Sequence, residues 1–152
     1  MAEIFKQKPW GTVCCGDSGP AYAVENIRVD PSRCCSVHLH KERHNQFIIL
    51  AGTLVVLSWP QANGLTVSGG NFNPDEAYEA AKIEAIKGGD GQRCSVFIPA
   101  GIPHQFISIS AVQAIEISTP ARGGCLNSQD IERFTDGGEV HYKAMERIAN
   151  FL

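Results

Sequence analysis

The chain of 152 residues contains 43% hydrophobic and 19% charged residues, which is typical of a globular domain that buries a substantial core. Its 13 basic and 16 acidic residues give a formal net charge of −3, which argues against nucleic acid or an anionic membrane as a partner. The first 25 residues contain no apolar signal-peptide core and no run approaches the length of a membrane span, so we predict a single cytoplasmic domain over residues 1–152. The six cysteines are accordingly predicted to be free thiols.

The predicted elements are mainly short strands, because apolar runs alternate with Gly, Pro and Asn along the chain. In chain order, the predicted strands are Thr12–Cys15, Tyr22–Val29, Cys34–His40, Gln46–Ala51, Thr53–Trp59, Ser95–Ile98, His104–Ser110 and Ala114–Ser118. The two runs on either side of Gly52 are almost continuously apolar, which indicates a hairpin buried between two sheets. The pattern predicts an all-β sandwich or jelly-roll barrel.

An insertion of about residues 60–92 interrupts the strands and contains a helix start. The segment Asn73-Pro74-Asp75-Glu76 supplies an N-cap, a proline suited to the first helical position and a reciprocal cap. Two interpretations stay open: one helix that continues to about residue 86, or a short helix over about 74–82 that is followed by a strand. The insertion is either decoration or a lid or interface over the mouth of the barrel.

Near the C-terminus, apolar residues recur with the helical spacing i, i+3, i+4, i+7. These residues are Met145, Ile148, Ala149 and Leu152. They predict an amphipathic helix over about 139–152 that packs on the barrel or on a second subunit. Its polar face has no basic stripe, so binding to a membrane is not expected. Because the apolar strands and this helix exceed what one small barrel covers, we predict a homodimer.

Three histidines carry the strongest functional signal. His38 and His40 are two residues apart in a predicted strand, so their side chains leave the same face. His104 follows a second predicted strand and a Pro/Gly turn that can direct it onto the same centre. Imidazole nitrogens are ligands of zinc, iron, nickel and copper, and three of them leave positions open for a substrate. The histidines therefore predict a site for a divalent metal ion.

The spacing of these histidines resembles the cupin superfamily. Cupins carry one block with Gly, five residues, His-x-His, three or four residues, Glu, six residues and Gly, and a second block with Pro-x-Gly-x-x-His. The matching positions here are Ser32, His38, His40, Asn45 and Gly52, then Pro99, Gly101 and His104. The resemblance implies a double-stranded β-helix, the cupin jelly-roll barrel, with a short helical insertion and a C-terminal helix.

Within the cupins, the chain is most similar to the C-terminal domain of type II mannose-6-phosphate isomerase/GDP-mannose pyrophosphorylase. The matching segments are Lys8-Pro9-Trp10-Gly11, Val29-Asp30-Pro31-Ser32, Arg43 and Asp130-Ile131-Glu132-Arg133-Phe134-Thr135-Asp136. The similarity covers most of residues 8–136 and implies a small-molecule partner, either a sugar phosphate or a nucleotide-linked sugar. By family position, Arg43 and Arg133 are predicted to bind the anionic group of that ligand.

The resemblance also implies a set of metal ligands. The family uses Gln, His, Glu and His, and these positions hold His38, His40, Asn45 and His104 in this chain. An imidazole has replaced the amide and an amide has replaced the carboxylate, so every ligand is neutral. Loss of the anion predicts zinc, nickel or iron and makes manganese a poorer fit. His44 replaces Asn45 as the ligand only if the strand register shifts by one residue.

Three functions are compatible with such a site. In an aldose–ketose isomerase, the metal polarises a carbonyl while a base moves the proton, and Glu116 is the one carboxylate that alternation places near the core. The second function is a three-histidine, iron-dependent dioxygenase. The third is a non-catalytic cupin that binds a small molecule through its metal.

Overall fold

Thirteen strands and two helices form the part of the chain described by this computed structural model, which is residues 5–60, 72–89 and 94–152. The strands are β1 (Phe5–Lys8), β2 (Gly11–Gly19), β3 (Tyr22–Val29), β4 (Arg33–Cys34), β5 (His38–Leu39), β6 (Arg43–Ala51), β7 (Thr53–Ser58), β8 (Lys82–Lys87), β9 (Ser95–Ile98), β10 (His104–Ser108), β11 (Val112–Pro120), β12 (Glu132–Arg133) and β13 (Gly138–Glu139). The helices are α1 (Pro74–Ala80) and α2 (Tyr142–Phe151). The predicted all-β class is confirmed.

The strands form two antiparallel sheets. The first sheet has the order β1-β2-β3-β11-β6-β9, and the second has the order β12-β5-β10-β4-β13, with β7 paired to β10 and β8 paired to β7. The chain crosses from the first sheet to the second between β6 and β7. Gly52 makes this crossing with a φ of 83°, and a Cβ there would collide with the carbonyl of Ala111, so both the conformation and the space require glycine.

Two hydrophobic clusters lie on opposite faces of the second sheet. The barrel core consists of Val13, Ile27, Val29, Cys35, Phe47, Ile49, Leu54, Val56, Ile86, Val96, Ile98, Phe106, Val112 and Ala114. The helix-covered core consists of Cys34, Val37, Val55, Leu57, Trp59, Ala77, Tyr78, Ala81, Ile107, Ala144 and Ile148. Alternation along β7 sends Leu54 and Val56 to the first cluster and Val55 and Leu57 to the second.

The predicted strand Cys34–His40 is wrong as a single element, because the structure divides it into β4 and β5. Between them, the thiol of Cys35 accepts a hydrogen bond from the backbone N–H of Phe106 at 3.1 Å. The Gln105 amide also donates to the carbonyl of Cys35 at 3.0 Å. Hydrogen bonds to and from side chains replace part of the regular backbone hydrogen bonding between strands here. The segment between β4 and β5 is therefore not a regular strand.

The predicted hairpin around Gly52 is wrong, because β6 pairs with β11 and β9 whereas β7 pairs with β10 and β8 in the other sheet. Of these two strands, only β7 is buried on both faces. On β6, the inward residues Asn45, Phe47 and Ile49 are buried, but Leu50 is 50% exposed. The prediction of a fully buried β6 is therefore wrong for its outer face. The reason is that the helices cover the second sheet, whereas the outward residues of β6 belong to neither hydrophobic cluster.

The short-helix interpretation of the insertion is confirmed, since α1 is followed by β8, which pairs with β7. The side chain of Asn73 caps α1 by accepting from the N–H of Asp75 at 3.2 Å. Trp59 anchors the helix by donating from its Nε1 to the carbonyl of Ala77 at 2.7 Å. In its described part, the insertion covers the outer face of the second sheet and is not a lid over the barrel mouth. Residues 61–71 and 90–92 of the predicted insertion lie outside the described residues.

The C-terminal helix begins at Tyr142, later than predicted, because β13 pairs with β4 immediately before it. His141 caps the helix by accepting from the N–H of Lys143 at 3.2 Å. The buried face consists of Ala144 and Ile148. Of the predicted apolar stripe, only Ile148 is buried, because α2 contacts the sheet and α1 along a narrower line. Within the described residues, no helix is long and apolar enough to cross a membrane.

Candidate metal centre

The three histidines predicted from the spacing meet beside the barrel core. β5 carries His38 and β10 carries His104, and these two residues lie directly opposite each other in the antiparallel pairing. His40 follows β5 on the same face. The potential ligand atoms of the three side chains lie within 4.8 Å of one another, and all three residues are buried. We call this cluster of His38, His40 and His104 the metal centre.

The Nδ1 atoms of the three histidines all face backbone carbonyl oxygens. The pairs are His38 with Ser36 at 2.8 Å, His104 with Ile102 at 3.0 Å, and His40 with Asp130. Since a carbonyl oxygen only accepts, each Nδ1 must carry the proton and each Nε2 is the unprotonated nitrogen. Histidines that ligate metals are oriented by the same kind of bond from the other ring nitrogen. The backbone therefore prepares three Nε2 atoms to act as ligands.

One of these nitrogens has no partner. The Nε2 of His104 is completely buried and forms no hydrogen bond with any residue that the structure describes. The Nε2 of His40 has a guanidinium nitrogen of Arg43 at 3.3 Å. An unpaired, buried imidazole nitrogen is unfavourable unless a ligand satisfies it. Three neutral nitrogen donors fit a borderline divalent cation such as zinc, nickel or ferrous iron.

The electrostatics keep these imidazoles unprotonated. The pKa values of His40 and His104 are lowered to about 4, mainly by burial and to a lesser extent by the cationic Arg43. Burial also holds the pKa of His38 well below its ordinary range. Because a metal ion binds only neutral imidazole, protons do not compete for the site near neutral pH.

A backbone hydrogen bond joins the turn before β10 to the segment that carries His38 and His40. The N–H of Gly101 donates to the carbonyl of His40 at 2.6 Å. Gly101 has a φ of 83°, a conformation that disfavours other residues, which explains the glycine of this motif. On the other side of the turn, the carbonyl of Pro103 accepts from the N–H of Trp59 at 3.0 Å. These bonds determine where β10 begins and hence where His104 lies.

A cavity of about 460 Å³ adjoins the metal centre and brings together most of the predicted site residues. Its wall includes His38, His40, Arg43, Glu116 and Arg133. β12 places Arg133 opposite His38 in the antiparallel pairing, at the exposed edge of the cavity. Arg43 is half-buried. The predicted anion-binding arginines and the predicted base therefore share one cavity with two of the histidines.

The Glu116 carboxyl group lies in an unusual electrostatic environment. Burial raises the pKa of Glu116 to about 7, and Glu25, directly opposite on β3, contributes in the same direction. Arg43 and a hydrogen bond from Asn45 Nδ2, at 2.6 Å from Glu116 Oε1, partly offset this effect. A carboxyl group with such a pKa exchanges protons near neutral pH, as a general acid or base requires.

Asn45 faces the interior, as the preferred register predicts. Its amide oxygen accepts from the hydroxyl of Ser118 at 3.3 Å, and its amide nitrogen donates to Glu116. His44 points away, and its Nδ1 accepts from the N–H of Ala100 at 2.9 Å. The alternative register with His44 at the centre is thus not adopted. Ligation of metal by Asn45 stays a prediction.

Several cavity residues are not among those predicted from the sequence, namely Lys6, Lys8, Trp10, Glu25 and Asp136. A signal was available for Glu25, because alternation with the buried Ile27 and Val29 places it on the inward face of β3. Lys6 and Lys8 lie on β1, which has no apolar alternation and was not predicted. Their position follows only from the pairing of β1 with β2.

Comparison with known proteins identifies the family. The family described as "Mannose-6-phosphate isomerase C-terminal" matches residues 2–88, which is more than half of the chain. The chain belongs to this family. The match to the mannose-6-phosphate isomerase C-terminal family includes His38, His40 and Asn45, whereas His104 lies beyond it.

Two similar proteins are considerably longer than this chain. Alginate biosynthesis protein AlgA of Pseudomonas fluorescens is 26% identical over 134 residues, which cover 88% of this chain and 22% of that protein. Mannose-1-phosphate guanylyltransferase of Escherichia coli (strain K12) is also 26% identical over 134 residues, with the same coverage of 88% and 22%. The chain thus spans about a fifth of the length of these relatives.

Solved structures support the fold. Oxalate decarboxylase from Bacillus subtilis superimposes with a TM-score of 0.62 at 13% sequence identity, covering 86% of this chain and 30% of that one. At such low identity, the likeness concerns the fold alone. It confirms the cupin jelly-roll barrel predicted from the sequence.

Proposed function

We propose that this domain binds a divalent metal ion, zinc, nickel or ferrous iron, together with a sugar phosphate or nucleotide-linked sugar, and that it isomerises the sugar phosphate. The observation that carries the proposal is the metal centre, where three buried Nε2 atoms converge and one of them has no partner. His38, His40 and His104 would hold the ion, with Asn45 as the fourth protein group near it. A bound ion would supply polarisation of a carbonyl or hydroxyl oxygen.

The charges around the cavity support an anionic ligand. Its wall has four basic side chains, Lys6, Lys8, Arg43 and Arg133, and three acidic ones, Glu25, Glu116 and Asp136. A guanidinium group binds phosphate oxygens through two parallel hydrogen bonds, so Arg133 at the edge and Arg43 further inside are suited to the anion. The deeper part of the cavity, near the histidines, is left for the sugar.

Glu116 is the proposed base of the isomerisation. One of its oxygens accepts from the amide of Asn45, which orients the carboxyl group. The other oxygen would take a proton from a sugar carbon and return it to the neighbouring carbon, while the hydroxyl proton passes from one of the two adjacent sugar oxygens to the other. Arg43 lies close enough to lower the pKa of Glu116, so it stabilises the ionised form that acts as the base.

The test combines metal analysis with an activity panel. Protein purified without a histidine tag is analysed for bound metal and then assayed with a panel of aldose and ketose phosphates. The His40→Ala variant should lose both the metal and the activity. The matched control is His141→Ala, because His141 caps α2 and belongs to the helix-covered side of the molecule. Glu116→Gln should keep the metal and lose the isomerisation. Full metal content in His40→Ala would contradict the proposal.

The dioxygenase is a second candidate, favoured by one observation. The metal centre has three imidazoles and no carboxylate among its potential ligand atoms in the described residues, so the ion would keep its full positive charge. Loading with ferrous iron under anaerobic conditions, followed by measurement of oxygen consumption with candidate substrates, tests this function. Oxygen consumption without any isomerisation of sugar phosphates would favour the dioxygenase.

We further propose that the domain is a homodimer and that it acts in the cytoplasm. The outward face of the first sheet supports the dimer, because Leu50 on β6 and Phe97 on the adjacent β9 are 50% and 53% exposed. Apolar surface of this kind is usually covered by a partner. Light scattering of the wild type and of Phe97→Glu tests the dimer, which the substitution should dissociate. A wild type that is monomeric at all concentrations would contradict it.

A further inference from the structure

The metal centre is supported by the closing segment, which is defined here as residues 130–136. Through β12 this segment pairs with β5, so that Arg133 lies opposite His38. Immediately after β12, the N–H of Phe134 donates to the carbonyl of Val37 at 2.8 Å. The closing segment thus runs alongside the strand that carries the first histidine.

Asp130, the first residue of the closing segment, forms hydrogen bonds with His40 and with the two residues that follow it. Its backbone carbonyl accepts the hydrogen bond from the Nδ1 of His40. Its carboxylate oxygens accept from the N–H groups of Lys41 and Glu42, each at 2.8 Å. The residue is buried although its side chain is acidic. One residue therefore fixes both the imidazole ring and the turn that follows it.

The hydrogen bonds to the carboxylate of Asp130 are stronger than hydrogen bonds between neutral groups. Hydrogen bonds from backbone N–H groups to a carboxylate are charge-assisted, and two of them on one side chain hold the turn in a single position. Since the carbonyl that orients the ring belongs to the same residue, any movement of the turn relative to Asp130 also moves the Nε2 of His40. The groups that orient a metal ligand typically affect metal affinity by about 10–100-fold.

We propose that Asp130 is the positioning residue of the metal centre. Its carboxylate holds the turn of Lys41 and Glu42, so that its carbonyl keeps the Nε2 of His40 directed at the cation. The inference rests on the metal site proposed above and assigns to the acidic residue of the closing segment a role that is separate from anion binding by Arg133.

The experiment measures binding of Zn²⁺ to the chelator-treated full chain, by competition with a chromogenic chelator, and the visible absorption of bound Co²⁺. Asp130→Ala should weaken Zn²⁺ binding by about 10–100-fold and change the Co²⁺ spectrum. Asp130→Asn keeps one acceptor oxygen and should show a smaller loss. The matched control is Asp17→Ala, since Asp17 also accepts from a backbone N–H, that of Ser18 at 2.9 Å, but lies on β2. This variant should bind both ions as the wild type does.

The outcomes separate this inference from the metal site itself. If the wild type binds Zn²⁺ in a manner that depends on His40, and folded Asp130→Ala or Asp130→Asn binds it equally tightly, only the positioning role is overturned. If both variants merely lose stability while the Co²⁺ spectrum is unchanged, the role is structural and the inference is likewise overturned. If the wild type binds neither ion, or binds it without His40, the metal site and the positioning role fail together.

A measurement on the wild type covers the case in which the variants do not fold. Coupling between two sites is reciprocal. If the hydrogen bonds of Asp130 raise the affinity for Zn²⁺ by some factor, bound Zn²⁺ on His40 should stabilise those hydrogen bonds by the same factor. Hydrogen exchange of the Lys41 and Glu42 amides should therefore slow when Zn²⁺ is added, relative to the Ser18 amide. Equal exchange rates with and without Zn²⁺, in protein that binds Zn²⁺, would overturn the inference.

Discussion

The metal centre and the helix-covered core both contain buried polar groups, but the two regions differ in the hydrogen bonds that these groups form. In the helix-covered core, the indole of Trp59 donates to Ala77 at 2.7 Å and the hydroxyl of Tyr78 donates to Gln105 at 3.2 Å. In the metal centre, the Nε2 of His104 is buried and has no partner among the described residues. The two regions thus differ in whether the protein satisfies its own polar groups.

This difference distinguishes groups that stabilise the fold from the groups that we propose to bind a ligand. A polar group that is fully paired inside the protein contributes to stability and specificity. A buried acceptor without a partner lowers stability when no ligand satisfies it, and such groups are concentrated at functional sites. Substitutions in the two regions should therefore change different quantities: stability in the helix-covered core and binding at the metal centre.

The largest effect on stability is expected for Trp59→Ala. Removal of this buried side chain, which packs against α1, should lower the free energy of unfolding by about 3–5 kcal/mol. The Zn²⁺ affinity of the folded protein should stay that of the wild type. Urea denaturation and a Zn²⁺ titration measure the two quantities. Trp59→Phe, which keeps an aromatic ring but loses the hydrogen bond to Ala77 and part of the buried volume, is the control and should lose less than Trp59→Ala. A parallel fall in Zn²⁺ affinity would show that the two regions are not separable.

The metal centre should make the metal-free protein sensitive to acid. The pKa of His40 and His104 is about 4 in the folded state and about 6.5 in the unfolded state, so the unfolded chain binds more protons between these values. Stability should therefore fall as the pH is lowered from about 6.5 to about 4, by about 3 kcal/mol at most for each imidazole. Glu116 acts in the opposite direction. Its raised pKa of about 7 adds stability as the pH falls, so it offsets part of the loss.

Urea denaturation of chelator-treated protein at several pH values measures this dependence. Glu116→Gln should make the acid loss steeper, because the offset disappears. His40→Ala should make it shallower, because one low-pKa imidazole is gone. Stability that does not change between pH 6.5 and pH 4 in the wild type and in both variants would remove the basis of the prediction.

Arg133→Ala tests the anion-binding edge of the cavity. The variant should bind phosphorylated sugars more weakly by about 1.5 kcal/mol, at the lower end for a charge-assisted contact because Arg133 is exposed. Binding of the unphosphorylated sugars should change little. Calorimetric titration of both ligand types measures the difference, with Arg122→Ala as the control for removal of an exposed arginine. Equal losses for both ligand types would show that Arg133 serves the pairing of β12 with β5.

The smallest effect is expected for Asn45→Glu, which restores the carboxylate of the family pattern. Affinity for Mn²⁺ relative to Zn²⁺ should rise about tenfold, or about 1.4 kcal/mol, because hard cations prefer anionic oxygen ligands. Competition between the two ions, followed by metal analysis, measures the ratio. The control is Asn45→Gln, which keeps the neutral amide and should leave the ratio unchanged. An unchanged ratio in Asn45→Glu as well would place residue 45 outside the ligand set.

Much of the site follows from local rules. Period-two alternation places His38 and His40 on one face and Asn45, Phe47 and Ile49 on another inward face, and both arrangements are present in the structure. The N-cap signal at residue 73 likewise predicts where α1 begins. These features depend only on residues that are a few positions apart, so they are visible in the chain itself.

The interruption at Cys35 and the start of α2 were not visible in the same way. The sequence around Cys35 predicts a strand, but the thiol and the carbonyl of Cys35 form hydrogen bonds with residues of β10. Similarly, α2 starts late because β13 pairs with β4. In both cases, a residue far away in the sequence changes the secondary structure that the local residues favour. The neighbouring residues do not indicate which distant residue this is.

By itself, the sequence determined the strand-rich class, the three histidines and the glycines of the sharp turns, because alternation and backbone conformation act over short stretches of chain. Only the tertiary structure decided that His104 lies opposite His38, that Glu25 faces Glu116, and that a carbonyl 90 positions away orients His40. Such contacts depend on which strands become neighbours and in which register. A shift of one residue would turn each of these side chains to the other face, so the chemistry of the cavity is set by the packing of the two sheets.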